Sequence, residues 1–531
     1  MRAICGSRTR TRRAICAWPS SACAPCSRAS RGNDGGRARV GVSRSTVADV
    51  VVDGLKRAGT PRLFGVAGLD AKLPLLEAAR AGELPLTLAS GETAACIMAA
   101  VTGDLVEAPG AVVVGSGRGV TAAIAGVAQA RVDRAPMIVL TDDHPAVFAA
   151  SKASLRVQRE SAAHWIAHAT RLAATEPRGP VHLEVPDEIA RQSALPLATS
   201  CRPDRLPPPD PGALDAAARR LASASRPLLI AGLHCRSTGV PQWLRALVEA
   251  LPAPVLVTRR AKGALPDPHP LVLGVLGNET VDERLLKRAD LVVGLGLDAL
   301  EPVPAPWWST VPVLALGPPQ ALGDRIPAVE VVGEVAVVLE ELAPRLHDRQ
   351  RADWDIAELD RLKRELSAGP AGDDQALARR GIVRIAREAT AAGTIAAVDA
   401  GPHMIDVAVG WHAVAPREFL VTHGLATAGF ALPAAIAAHL VHPDRRVVCF
   451  TGVAELTAAA PELETATRLG APIVLVVFGA TASDSTAVTR LAERFRTTSF
   501  AADSEARFAQ ALGRALSGAG PSLISSTTGA R

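Results

Sequence analysis

Apolar and polar positions fall in blocks along this chain rather than alternating residue by residue. Uninterrupted apolar runs recur and end in Gly, Asp or Thr: GAVVVGSG, PMIVLTDD, PLLIAG, PVLVT, DLVVGLG, VPVLALG, IAAVDAG, RVVCFTG and PIVLVVFG. A strand covered on both faces reads this way. Between the runs lie Ala/Leu-rich segments with helical spacing, such as TAAIAGVAQARVD and ALDAAARRLASA. Strand alternating with helix predicts an α/β architecture of open parallel sheets.

Two breaks interrupt the pattern. PLATSCRPDRLPPPDPG, residues 195–212, carries enough proline to predict an extended linker. The charged stretch 345–378, which includes HDRQRADWD, reads as a helical connector. Three blocks remain, 46–194, 213–344 and 379–531, each expected to form one open parallel sheet. A chain of 531 residues suits three domains of ordinary size. Residues 1–45 are rich in Arg, Ser, Gly and Cys, and read as a disordered tail or a start assigned too far upstream.

Composition narrows the function classes. The formal net charge is only +5, and arginines crowd the tail, so the rest of the chain offers no basic groove for nucleic acid. At 3% aromatic residues there are few stacking platforms. No apolar run is long enough to span a membrane. Cys96, Cys201, Cys235 and Cys449 are scattered singly, which predicts free thiols in a reducing cytoplasm. The tail's Cys23 and Cys26 form a C-x-x-C pair without a second pair at zinc spacing.

Four places could carry chemistry. In LPLTLASGETAACIMAAVTG a strand ends at Ser90–Gly91 and Glu92 opens a helix. An acid there is either a partner of the helix dipole or a functional group. In VVVGSGRGVTAA a strand runs into Gly115, Gly117 and Gly119, a turn whose N–H groups could approach a ligand. The segment 398–440 holds His403, His412 and His423 beside glycine turns, including the Gly424–Ala428 stretch of GLATAGFALPAAIAA. In RVVCFTGVAELTAAAPELETATRLGAPIVLVVFGA, strands deliver Gly452 and Gly479 side by side to a sheet edge. That edge would suit a magnesium-bound diphosphate if side-chain oxygens were present.

Together and in this order, these places resemble the thiamine-diphosphate enzymes of the acetolactate synthase type. The likeness is strongest in TRRAKGALPDPHPLVLGVLGN and GLATAGFALPAAIAAHLVHPDRRVVCFTG. It implies pyrimidine-binding, central and diphosphate-binding domains. It also implies active sites between two subunits, hence a homodimer or homotetramer, and a small 2-oxo acid as substrate. Thiamine diphosphate and magnesium are the implied cofactors. Glu92 falls on the activating glutamate that hydrogen-bonds the aminopyrimidine. Gly117 and Gly119 fall on the loop near the pyrimidine. His403 falls where a polar residue often lies near cofactor or substrate.

The departures concern the metal. The family's Gly-Asp-Gly has become Gly452-Val453-Ala454, and its Asn has become Gly479, 26 residues after Val453 as the family spacing requires. Ala428 replaces a methionine near the aminopyrimidine. No side chain is therefore assigned as a metal ligand, although Glu455 and Asp484 are nearby carboxylates. Three readings follow: a carboligase or decarboxylase with an unconventional metal site, a non-catalytic partner subunit, or an enzyme that reuses the cleft without thiamine.

Overall fold

The computed structural model describes residues 45–526, apart from positions 69–71, 116, 143–148, 278, 302, 304–310, 320–326, 347–351, 369–373 and 480. The N-terminal tail with its C-x-x-C pair lies outside the described residues.

Three six-stranded sheets, every pairing parallel, are built in chain order. The first comprises β1 (Leu63–Val66), β2 (Leu86–Ala89), β3 (Gly110–Val113), β4 (Met137–Thr141), β5 (Ala153–Arg156) and β6 (Pro180–Glu184). Its spatial order is β2-β1-β3-β4-β6-β5. The second comprises β7 (Pro227–Ala231), β8 (Val255–Val257), β9 (Val272–Val275), β10 (Leu291–Leu295), β11 (Val313–Gly317) and β12 (Val329–Val332), in the order β12-β11-β10-β7-β8-β9. The third comprises β13 (Ile395–Val398), β14 (Phe419–Val421), β15 (Val447–Gly452), β16 (Ile473–Phe478), β17 (Thr498–Ala502) and β18 (Ser522–Ser526). Its order, β14-β13-β15-β16-β18-β17, repeats that of the first sheet.

The apolar runs become the interior strands, and β4, β7, β10 and β11 are buried at every position. The linker stays without regular structure until Asp210 caps the helix Pro211–Ser223, its carboxylate accepting from Ala213 N at 2.8 Å. The connector supplies the helix Ile356–Ala368 and the start of the helix Asp374–Glu388.

The first and third sheets share one core. The helix Glu92–Val106 is buried all round from Ala94 to Leu105. It packs on the helix Ala431–Val441, whose residues 431–438 are likewise buried. Both are dominated by Ala and other small residues, which lets the backbones approach closely. A helix apolar on every face belongs in an interior.

Candidate functional site

In both repeated sheets the strand order reverses beside the first strand, and the predicted chemistry gathers at the carboxyl edges there. On the first sheet, β2 ends at Ala89 and the helix starts at Glu92, with Gly91 as an extended N-cap (φ −148°, ψ 153°). Gly117 takes φ +65°, a conformation open to glycine, and begins the helix Arg118–Val132. A Cβ placed on Gly119 would lie 2.8 Å from Glu92 Oε1. The structure thus brings Glu92 onto the predicted glycine turn, and any larger residue at 119 would push the carboxylate away.

The turn presenting Glu92 is held from the third domain, by a residue the sequence reading did not single out. Glu462 is 2% exposed and opens the helix Glu462–Arg468. Its carboxylate accepts from Ser90 N at 3.0 Å, Gly91 N at 3.1 Å and Thr465 Oγ1 at 2.8 Å. Ser90 Oγ donates to Pro461 O at 2.9 Å, and Arg468 Nη2 to Leu88 O at 2.6 Å. Burial pushes the Glu462 carboxyl up, while these donors pull it back.

On the third sheet, His403 opens the helix His403–Gly410 just past β13. It is 4% exposed and stacks on Phe478 with ring centroids 5.3 Å apart. Its Nε2 is buried without a partner. Burial, then the charge of Arg379, holds the imidazole down to about 4. Asp399 ends the same strand and accepts from Thr451 Oγ1 at 2.7 Å and Ala431 N at 3.0 Å. Burial pushes it up to about 6, and Glu455 adds to the shift.

The ends of β15 and β16 lie side by side, Gly452 opposite Phe478. A short helix, Val453–Ala459, starts at once after Gly452. The Glu455 carboxylate folds back over Gly452, where a Cβ would collide with its Oε2. Val453 offers hydrocarbon and Ala454 points to solvent. Gly479 N donates to Ser526 O at 3.0 Å, and a Cβ on Gly479 would lie 2.9 Å from Asp484 Cβ. Asp484 itself accepts from Thr481 N at 2.9 Å in the capping box of the helix Ala482–Phe495. Among the described residues, no group of three His, Cys, Asp or Glu side chains could hold a metal ion.

The turn from His423 to Gly429 spans the two halves. His423 N donates to Asp133 Oδ1 at 2.7 Å, and Thr427 Oγ1 to Gln129 Oε1 at 2.8 Å. Gly424 packs toward Val132, and Gly429 against Ala459. Ala428 is exposed. His423 Nε2 is buried without a partner, and burial followed by Arg260 holds that ring down to about 4. His412 turns away toward Lys262 and Asp267, outside this cluster. Among the described residues, no hydrogen bond or ion pair joins Glu92 to the third-sheet edge.

Comparison with known proteins matches three parts of the chain to thiamine pyrophosphate enzyme domains. These are the N-terminal TPP binding domain over residues 45–163, the central domain over 214–342 and the C-terminal TPP binding domain over 399–482. The catabolic acetolactate synthase of Raoultella terrigena is 30% identical over 468 residues, covering 81% of this chain and 82% of that protein. The acetolactate synthase isozyme 1 large subunit of Escherichia coli K12 is 27% identical, covering 82% of each chain. Acetolactate synthase of Bacillus subtilis 168 is 26% identical over 85% of this chain and 84% of its own. With the three domains in family order and a near-full-length relative at this identity, the chain belongs to the thiamine pyrophosphate enzyme family, acetolactate synthase type.

Proposed function

We propose that this chain is an acetolactate synthase-type protein directed at a small 2-oxo acid, whose third-sheet edge no longer seats a magnesium-bridged diphosphate. One observation carries the reading: the Glu455 carboxylate lies over Gly452 while the flanking positions, Val453 and Gly479, bring no oxygen ligand. A diphosphate arriving there meets a resident negative charge instead of a cation. Asp484 is committed to its helix cap, and no third carboxylate or imidazole completes a metal set among the described residues. The residues present therefore do not fit the metal-bridged group. Losing one partner of a buried charge costs about 3–5 kcal/mol, and two such losses would lower affinity by roughly three or more powers of ten.

Thiamine-dependent carboligation is, on this reading, the ancestral chemistry of the scaffold. The retained Glu92 and its glycine turn favour a second reading, a carboligase that grips the cofactor by its pyrimidine end alone. Family precedent supports assembly as a homodimer or homotetramer with paired sites. Cys96, Cys201, Cys235 and Cys449 are free and buried, which supports a cytoplasmic location. No described helix is long and apolar enough to cross a membrane. The domains we assign, 46–194, 213–344 and 379–531, each carry one sheet.

Calorimetric titration with thiamine diphosphate and Mg²⁺ tests the choice. The natural chain should show no micromolar binding, and the combined change Val453→Asp, Ala454→Gly and Gly479→Asn should restore it. Micromolar binding by the unmodified protein would establish the second reading instead.

A further inference from the structure

The helix Ala162–Ala174 of the first domain carries a pair of histidines that the cleft does not use. Its inner stripe, Ile166, Ala169 and Ala173, packs into the core that also holds Leu140 of β4 and Leu183 of β6. Burying that stripe turns positions 164, 168 and 171 outward, at the helical spacing i, i+4 and i+7. The residues there are His164, His168 and Arg171. His164 is exposed and His168 half-buried.

The two imidazoles lie side by side. Their ring centroids are 6.0 Å apart, and their planes are within 7° of parallel. Trp165 meets both rings edge-on, at 5.5 Å from His164 and 6.3 Å from His168. Arg171 Nη2 lies 3.3 Å from His168 Nδ1. A guanidinium nitrogen only donates, so this Nδ1 accepts and the ring's proton sits on Nε2. Imidazole nitrogen suits nickel, copper and zinc, whereas magnesium prefers oxygen. Two histidines one helical turn apart are also the zinc-holding pair of the motif H-E-x-x-H. Here the stretch reads HWIAH, with Trp165 where that motif places its basic Glu. The pair therefore keeps the ligands and lacks the hydrolytic base.

We propose that His164 and His168 form a surface site for a divalent transition ion of the nickel, copper and zinc class. Two protein ligands completed by water make an exchangeable site, unlike the closed set of a structural zinc. Rotation of both rings about χ2 brings their Nε2 atoms onto one ion. His168 then carries its proton on Nδ1, and Arg171 loses its acceptor and turns away. Arg171 thus competes with the ion, through this contact and through its charge. The site belongs to the first domain and owes nothing to the third-sheet edge, so it stands apart from the reading above.

The test titrates Ni²⁺ into the full chain, without thiamine, by calorimetry and by tryptophan emission. A paramagnetic ion beside Trp165 quenches that emission. Any binding by the tail cysteines is common to every variant, so the site is read as a difference. A saturable micromolar event should appear in both signals. His164→Asn and His168→Asn should each weaken it at least tenfold, with the metal-free melting temperature unchanged because both side chains face outward. Trp165→Phe should remove the saturable quench and keep the heat. Arg171→Ala should tighten binding at least twofold, and Mg²⁺ should give no saturable signal. An event unchanged by the histidine variants, lost in only one of them, weakened by Arg171→Ala, or matched by Mg²⁺ would overturn the proposal. The thiamine titration uses Mg²⁺, which an imidazole pair does not take, so the two readings fail separately.

Discussion

Ala426 adopts φ +50° inside the turn that carries Gly424 and Ala428. A left-handed conformation costs a residue with a Cβ about 1–2 kcal/mol. Glycine relieves that cost but adds unfolded-state entropy worth about 0.4–1 kcal/mol. Ala426→Gly should therefore gain up to about 1 kcal/mol, read from the urea midpoint at unchanged slope. Acid response is also set by single residues. His403 and His423 are held down to about 4, so the stability they contribute is complete above about 6.5 and fades as pH falls toward 4. Asp399, raised to about 6, acts oppositely: its contribution is full below about 4 and is lost as pH rises through 6. Two imidazoles outweigh one carboxyl, leaving a net loss on the order of 4 kcal/mol from these groups between pH 6.5 and 4. Asp399→Asn should steepen that loss and His423→Gln should lessen it, in denaturant midpoints taken across the range.

At the level of elements, the connection to examine is between the helix Glu462–Arg468 and the turn before Glu92. Removing the Glu462 carboxylate strands two N–H groups, at about 1–3 kcal/mol. Glu462→Ala should lose that much stability and speed amide exchange at Ser90 and Gly91, while Glu462→Gln, which keeps an acceptor oxygen, should recover part of both. This contact illustrates what the sequence withholds. Interior strands such as β4, β10 and β16 were legible, because burial on two faces leaves an unbroken apolar run. The edge strands β5 (ASLR), β12 (VEVV) and β17 (TSFAA) were not, because mixed exposure dilutes the signal. Glu92 and its glycine turn could be read locally, each at the junction of a strand and a helix. Glu462 could not, since its partners lie 372 and 371 positions away. The Glu455 carboxylate was visible as a nearby acid, but its direction, back over Gly452, depends on where the short helix begins.

Across the whole described chain, the central domain is tied to its neighbours by buried charge. Asp104 accepts two bonds from Arg236 and one from Arg260, all at 3.0 Å and all buried. The two arginines hold the Asp104 carboxyl far below the usual carboxylate range despite its burial. Arg417 adds a bond to Glu107 at 2.5 Å and another to Arg236 O at 2.9 Å. Asp104→Ala would leave Arg236 buried without its carboxylate and Arg260 with Asp133 alone, at about 3–5 kcal/mol. Scanning calorimetry should then resolve a separate, earlier transition for the central domain, which Asp104→Glu should largely suppress.

The shared strand order of the first and third sheets carries through to the helices packed on them. The two helices that meet in their common core each follow the second strand of their sheet, so equivalent pieces already face one another. Each helix is thus buried by its own counterpart, so enlarging a small residue on one presses on the equivalent element of the other.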